Sequence, residues 1–190
     1  ALKIPDMNAM AWVGQVQAIA REAGRIILEV YHSTADWGVQ IKSDDSPVTR
    51  ADMLSNAYIC SSLQEIAPQL PVVSEENAPY QWAQRQQFEY WWVVDPLDGT
   101  KEFLARNGEF SINIALMKGP YPVMGVLYAP FLNEMYWAVE GQGAYRLEGD
   151  ENHRLYARSF SLSDTGLTVF CSRSHLDPGT RQYVEGLVDP

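Results

Sequence analysis

Basic residues are scarce in this chain. Its 190 residues include 14 Lys and Arg against 24 Asp and Glu, which gives a formal net charge of -10. Because no basic cluster offsets the acidic residues, this balance argues against a nucleic acid polymer or an anionic membrane as a partner. A small anionic substrate stays compatible with it, since a carboxylate cluster that binds Mg²⁺ reverses its own local field.

Cysteines and long apolar runs are scarce as well. Only two cysteines are present, Cys60 in a helical pattern and Cys171 at the end of an apolar run, so we expect two reduced, buried thiols and a cytoplasmic location. No apolar run approaches the roughly 20 residues of a membrane span. The first residues, ALKIPDMNAMAW, lack the basic start and apolar block of a signal peptide.

What is present is a globular pattern, with 46% hydrophobic and 20% charged residues. Apolar residues recur every three or four positions over residues 12–31, which predicts an amphipathic helix. A second helix is predicted to begin in the segment SPVTRAD and to end near Ile66. Its expected buried stripe consists of Ala51, Leu54, Tyr58, Ile59, Leu63 and Ile66.

Short strand patterns follow the helices. Residues 71–74 and 90–94 are predicted strands that end at acidic residues, with a weakly helical polar stretch at 81–87 between them. Further strands are predicted at 110–117, 123–128, 135–139 and 143–146. Because short turns join these last strands, we expect an antiparallel meander.

The polar segment at residues 148–153 predicts a domain boundary. We expect an N-terminal α+β domain over residues 1–147, with two helices on an antiparallel sheet, and the beginning of a C-terminal α/β domain over residues 148–190. This second part is predicted to start with a strand at 167–171 and to continue into a loop and a helix.

The main candidate for a functional site is the segment YWWVVDPLDGTKEF, residues 90–103. A strand pattern ends there in Asp95 and Asp98, which turn formation explains as well as function does. Glu75 also follows a predicted strand, so it can join both aspartates and the Leu97 carbonyl if the two strands are neighbours. Oxygen donors of this kind suit Mg²⁺.

The residues around this segment have structural explanations beside functional ones. Glu76 is expected to be a solvated loop residue. Thr49 and Asp52 have the spacing of a capping box, which is the favoured interpretation, and the alternative is that Asp52 accepts a hydrogen bond from the Thr100 hydroxyl. Arg106 is expected to be a solvated charge.

Gly99 and Thr100 have two compatible roles. They can form the turn and the N-cap of a short helix, and their amides can hold a phosphate at that helix N-terminus.

Four segments, SPVTRAD, VVSEEN, WVVDPLDGTKEF and NGEFSINIALM, resemble in this order the inositol monophosphatase-like superfamily of Mg²⁺-dependent, lithium-sensitive phosphatases. The resemblance covers nearly the whole chain. The run DPLDGTKEF, followed by RNGEF, GVLYAP and SRSH, looks most like the 3′(2′),5′-bisphosphate nucleotidases of the CysQ type.

This resemblance implies a layered α/β/α/β/α sandwich of the inositol monophosphatase and fructose-1,6-bisphosphatase type, with the second domain incomplete in this chain. It implies two or three Mg²⁺ ions and inhibition by Li⁺. The implied metal ligands are Glu75, Asp95, the Leu97 carbonyl and Asp98. The implied catalytic residues are Glu75, which activates the attacking water, and Thr100 and Asp52, which position it. The implied substrate-binding residues are Glu75, Leu97, Asp98, Gly99 and Thr100.

The implied reaction is hydrolysis of the 3′-phosphate of adenosine 3′,5′-bisphosphate to AMP and phosphate, linked to sulfate assimilation. The alternatives are an inositol or sugar phosphate phosphatase of the same superfamily and a non-catalytic metal- or phosphate-binding remnant. Members of the superfamily carry a further metal-ligating aspartate in a late Trp-Asp motif. Asp164, Asp177 and Asp189 do not match that motif, so we expect either a fragment of a longer protein or a natural truncation with impaired activity.

Overall fold

The computed structural model of the chain describes residues 9–43, 46–172 and 176–187. Part of the SRSH segment (residues 173–175) and Asp189 therefore lie outside the described residues. The chain divides into two compact units, Ala1–Leu155 and Tyr156–Pro190. The boundary predicted after residue 147 falls inside a hairpin of the first unit, so the division lies at a different place from the one expected.

The predicted helices form with small shifts at their ends. In the described residues the helices are α1 Met10–His32, α2 Arg50–Ile66, α3 Trp82–Arg85, α4 Thr100–Leu104 and α5 Pro178–Glu185. Helix α1 buries one stripe of residues, from Val13 through Ile27 to Tyr31. It therefore packs on the core as its period predicts.

Most strands of the first unit belong to one seven-stranded sheet with the order β3-β4-β5-β6-β7-β8-β9. Its strands are β3 Val72–Ser74, β4 Tyr90–Asp98, β5 Ser111–Lys118, β6 Tyr121–Ala129, β7 Glu134–Val139, β8 Gly143–Glu148 and β9 Glu151–Leu155. Strands β4 to β9 form the expected antiparallel meander, whereas β3 runs parallel to β4. Two short strands not seen in the sequence, β1 Gln40–Ile41 and β2 Pro47–Val48, pair separately between α1 and α2.

The core lies between helices α1 and α2 and one face of this sheet. Buried strand residues alternate with half-buried ones, as Trp92 and Val94 of β4 and Ile112 and Ile114 of β5 show. They join the buried face of α1 in a single cluster. The expected α+β architecture is therefore confirmed.

The buried face of helix α2 differs from the predicted stripe. Leu54 is 39% exposed, whereas Asp52, Ser55 and Asn56 are 1%, 0% and 6% exposed. Ile59 and Leu63 continue the same face as predicted. The helix thus turns polar residues inward near its N-terminus because their hydrogen-bond partners lie there: Thr49 and Thr100 for Asp52, Pro96 for Ser55, and Ser74 and Asn77 for Asn56.

Three local predictions are wrong. The polar segment near residue 150 forms strand β9, whose residues are all exposed and which is held by pairing with β8. No strand forms in the described part of the second unit, where residues 167–171 find no partner strand and α5 is the regular element. Cys171 is exposed and Cys60 is half-buried, so the thiols are free but not both buried.

Candidate active site

The parallel pairing of β3 with β4 positions the first two acidic segments. Ser74 lies opposite Val94, and the Glu75 amide donates a hydrogen bond of 3.1 Å to the Val94 carbonyl. The carboxyl ends of parallel strands meet at the same sheet edge, so Glu75 follows β3 where Asp95 continues β4. The two strands are neighbours, which is the condition that the sequence left open.

Strand β4 runs further than predicted and carries both aspartates. It reaches Asp98 instead of ending at Val94, and its register with β5 shifts between Asp95, opposite Asn113, and Asp98, opposite Ser111. The shift accommodates an extra residue on β4, as a β-bulge does. Asp95 and Asp98 thus lie on a bulged strand end and not on a free turn.

A left-handed glycine closes this segment. Gly99 has φ 93° and precedes helix α4, and its carbonyl accepts a 2.8 Å hydrogen bond from the Phe103 amide. A Cβ at this position would lie 2.8 Å from the Glu109 carbonyl oxygen. Both the dihedral angle and the close approach therefore require glycine.

The Asp52 carboxylate serves both roles that the sequence suggested. Its Oδ2 accepts hydrogen bonds from the Thr49 amide at 2.7 Å and the Thr49 hydroxyl at 2.5 Å. Its Oδ1 accepts a bond of 3.0 Å from the Thr100 hydroxyl, which also lies 3.3 Å from the Leu97 carbonyl oxygen. One buried carboxylate therefore caps α2 and orients Thr100 at the start of α4.

Asp95 has the most perturbed carboxylate of the site. Its pKa is raised to about 7, mainly by burial and also by the negative charges of Glu75 and Asp98, while a hydrogen bond from the Leu97 backbone acts in the opposite direction. Its Oδ1 is buried and lacks a hydrogen-bond partner within the described residues. A buried carboxylate oxygen without a donor, among other carboxylates, lies where a cation is electrostatically favoured.

Lys42 holds the two adjacent glutamates. Its ammonium group lies 3.0 Å from Glu75 Oε1 and 2.6 Å from Glu76 Oε1. The Glu76 side chain is only 7% exposed and the Glu75 side chain 53%, so the expectation of a solvated Glu76 is wrong. Lys42 lies in the segment between β1 and β2, and from there its ammonium group contacts both glutamates that follow β3.

These charges shift each other's ionisation. Burial lowers the pKa of Lys42, but its hydrogen bonds to Glu76 and Glu75 outweigh that effect and raise the pKa overall. Burial raises the pKa of Glu76 and is only partly offset by Lys42. The positive charge of Lys42 therefore does not fully offset the effect of burial on the Glu76 carboxylate.

The donors match Mg²⁺ in kind but do not form a closed site. Across residues 9–43, 46–172 and 176–187, no group of three or more Asp, Glu, His or Cys side chains has the geometry to hold a metal ion. Glu75, which would have to join the aspartates, is paired with Lys42. The unpartnered Asp95 oxygen and the oxygen-only donors fit a hard divalent cation.

Asp95 also lines a groove on the sheet face opposite the helices. The groove has a volume of about 360 Å³, and most of its wall is apolar. Val93, Ala115 and Leu127 contribute to this wall next to the carboxylate. The low polarity around Asp95 explains why burial dominates its pKa.

Sequence reasoning missed several residues of the site. Lys42 carried no distinguishing pattern, and Ser55 and Asn56 were not separated from the exposed side of α2. Arg106, expected to be only solvated, lies with its guanidinium 4.5 Å from the centre of the Trp37 ring. The sequence signal that could have found Ser55 and Asn56 is their spacing, since they are polar residues at positions i+3 and i+4 from Asp52.

The chain is similar to known proteins in sequence. The sequence model of the inositol monophosphatase family matches residues 11–187. The 3′(2′),5′-bisphosphate nucleotidase CysQ of Escherichia coli K12 is 43% identical over 173 residues, which cover 91% of this chain and 68% of that protein.

Solved structures show the same layered fold. A crystal structure of CysQ from Bacteroides thetaiotaomicron, described as a bacterial member of the inositol monophosphatase family, has a TM-score of 0.72 and 37% identity over 93% of this chain and 69% of that one. The extragenic suppressor protein suhB from Bartonella henselae has a TM-score of 0.66 and 30% identity over 77% of this chain and 55% of that one. The predicted fold class is thus confirmed. Among the described residues, every helix is too short or too polar to span a bilayer.

Proposed function

The chain belongs to the inositol monophosphatase family, and from this premise we propose that it is a Mg²⁺-dependent 3′(2′),5′-bisphosphate nucleotidase. It removes the 3′-phosphate of adenosine 3′,5′-bisphosphate to give AMP and phosphate. The observation that carries the proposal is the β3–β4 pairing, which brings Glu75 to the sheet edge that carries Asp95 and Asp98. The substrate is inferred from relatives named for this activity.

The proposed metal ligands are Glu75, Asp95, the Leu97 carbonyl and Asp98. Their support is the unpartnered Asp95 oxygen and the mutual effect of the carboxylates on its pKa. Bound Mg²⁺ would neutralise charge on the phosphate and make water a better nucleophile at neutral pH. For Glu75 to take part, it must give up its contact with Lys42.

The side chains of this chain would orient and deprotonate the water. The Thr100 hydroxyl directs its proton to Asp52, which leaves its oxygen lone pairs free to accept a hydrogen bond from the water. Glu75 is the proposed general base for that water. The Gly99 and Thr100 amides, which begin helix α4, are proposed to contact the phosphate, together with Leu97 and Asp98.

Two or three Mg²⁺ ions are expected, with Li⁺ as an inhibitor. The resemblance to nucleotidases of the CysQ type also implies a link to sulfate assimilation. A cytoplasmic location is supported by the free thiols of Cys60 and Cys171.

Phosphate release from adenosine 3′,5′-bisphosphate tests the proposal. We expect release that needs Mg²⁺, falls with Li⁺ and is lost in Asp95→Asn. The control is Asp150→Asn, which removes the same charge from the exposed turn between β8 and β9. Turnover of inositol phosphate but not of the nucleotide would instead identify a phosphatase for that substrate, and Mg²⁺ binding without turnover of either would identify a remnant.

A further inference from the structure

Helix α2 presents a buried polar face to the segments that carry the acidic residues. We propose that Ser55 and Asn56 are positioning residues, which hold residues 74–77 and residues 95–98 in the arrangement that binds the metal. The part of this inference that concerns metal rests on the proposed function. The part that concerns the position of the two segments stands on the hydrogen bonds alone.

Asn56 ties down both ends of the glutamate segment. Its Oδ1 accepts a hydrogen bond of 2.6 Å from the Ser74 hydroxyl, immediately before Glu75. Its Nδ2 donates a bond of 2.9 Å to Asn77 Oδ1, immediately after Glu76. One buried amide thus binds the side chains of the residues on either side of the two glutamates.

Ser55 holds the aspartate segment through a backbone carbonyl. Its hydroxyl donates a 2.9 Å hydrogen bond to the Pro96 carbonyl, between Asp95 and Asp98. Pro96 lies where the register of β4 with β5 shifts, so its carbonyl is outside the regular ladder. The Ser55 hydroxyl supplies the donor that this bulged backbone lacks.

These two residues share a face with Asp52, because positions i, i+3 and i+4 lie side by side on a helix. Asp52 holds Thr100, Ser55 holds Pro96, and Asn56 holds Ser74 and Asn77. One rigid helix therefore sets the relative positions of two segments that are distant from each other in sequence, residues 74–77 and residues 96–100. Groups placed by packed helices keep their geometry better than groups on loops that nothing anchors.

The composition of this face supports a positioning role. Ser55 and Asn56 are 0% and 6% exposed, while the apolar Leu54 beside them is turned outward. Burial of a hydroxyl and an amide is unfavourable unless their hydrogen bonds are made, so helix packing alone favours apolar residues here. The presence of polar residues here is explained by the hydrogen bonds that they make to the Pro96 carbonyl and to the side chains of Ser74 and Asn77.

Amide hydrogen exchange of the metal-free protein tests the positioning directly. In Asn56→Ala we expect selectively faster exchange at the Glu75 and Asn77 amides, and in Ser55→Ala at residues 97–99. Ile59→Val is the matched control, because Ile59 is buried on the same face but packs only on the core. Asn77→Ala deletes the Asn56–Asn77 bond from an exposed position and serves if Asn56→Ala does not fold.

Calorimetric titration with Mg²⁺ tests the consequence for the site. Loss of groups that orient metal ligands commonly weakens metal binding by about 10–100-fold. We expect a loss of at least about tenfold in Asn56→Ala and Ser55→Ala, with Ile59→Val within about twofold of the unmodified protein. If the unmodified protein does not bind Mg²⁺, the proposed function is refuted, while the exchange data still decide whether Ser55 and Asn56 position the two segments.

Equal exchange profiles in the variants and in Ile59→Val, after correction for melting temperature, would overturn the inference. Mg²⁺ affinities that follow melting temperature alone across all variants would overturn it as well, since the hydrogen bonds would then stabilise α2 without controlling the site.

Discussion

The Thr100 hydroxyl donates a 3.0 Å hydrogen bond to Oδ1 of Asp52, a residue 48 positions earlier in the chain. The other oxygen of that carboxylate accepts from the amide and hydroxyl of Thr49. Capping of helix α2 and orientation of Thr100 are therefore two functions of one carboxylate. Its 1% exposure keeps both sets of bonds away from competing water.

The first prediction concerns this hydroxyl. Thr100→Val keeps the shape of the side chain but removes the group that would position a water, so we expect kcat for phosphate release to fall about 100-fold with KM changed little. Thr100→Ser keeps the hydroxyl and is the matched control, with activity within a few-fold of the unmodified protein. A Thr100→Val enzyme as active as Thr100→Ser would refute the role of this group.

The second prediction concerns the buried charge of Asp95 in metal-free protein. Its folded pKa of about 7 lies above the value of roughly 3.9 expected for an unfolded chain. Between these values the folded state holds the proton more tightly, so this group lowers stability progressively as pH rises, and the full penalty is present above pH 7. Asp95→Asn should remove the penalty.

Thermal unfolding in EDTA from pH 5 to 8.5 measures this effect. We expect the melting temperature of Asp95→Asn to exceed that of the unmodified protein at pH 8 by more than at pH 5. A gap of the same size at both pH values would show that the Asp95 charge does not govern stability.

The third prediction concerns the contact of Lys42 with Glu75 and Glu76. Lys42→Met leaves the largely buried Glu76 without its partner, so we expect the metal-free protein to lose about 1–3 kcal/mol of stability. The same change releases Glu75 and removes a positive charge, so Mg²⁺ should bind several-fold more tightly. Lower stability together with higher metal affinity is the expected combination.

The control for Lys42→Met is Lys118→Met, which removes the same charge opposite Tyr90 at the other end of β4. Asp95 lies five positions along the strand from Tyr90, or about 16 Å, which exceeds the Debye length of about 10 Å at 0.1 M salt. Its Mg²⁺ affinity should therefore equal that of the unmodified protein. Weaker Mg²⁺ binding in Lys42→Met would contradict competition and assign Lys42 a supporting role.

The fourth prediction concerns Gly99. An alanine there adopts a left-handed conformation, at a cost of roughly 1–2 kcal/mol, and also meets the Glu109 carbonyl oxygen. Gly141→Ala is matched, because Gly141 has φ 73° and open space around a Cβ. Urea unfolding should show that both variants are less stable than the unmodified protein, with the larger loss in Gly99→Ala. Only Gly99→Ala should lose the ability to release phosphate.

Local patterns in the sequence predicted the elements of the fold where burial alternates with exposure. The three- and four-residue spacing of α1 and the apolar, strand-forming runs of β4 to β7 are properties of short segments, so they are visible without a structure. Strand β9 has no buried face, and the apolar run at 167–171 has no partner strand in the described residues. The sequence pattern therefore predicted strands incorrectly where pairing with a neighbouring strand, and not burial, decides whether a strand forms.

The sequence by itself determined which chemical groups are available: oxygen donors at two strand ends, a glycine turn and a threonine at the start of a short helix. Only the tertiary structure decided how they meet. The β3–β4 pairing set Glu75 beside β4, Lys42 arrived from a hairpin without a sequence pattern, and Ser55 and Asn56 turned inward in place of Leu54. The physical reason is that the partners of Ser55 and Asn56 lie 18 to 41 residues away, at Ser74, Asn77 and Pro96, and no local sequence pattern identifies a hydrogen-bond partner at that separation.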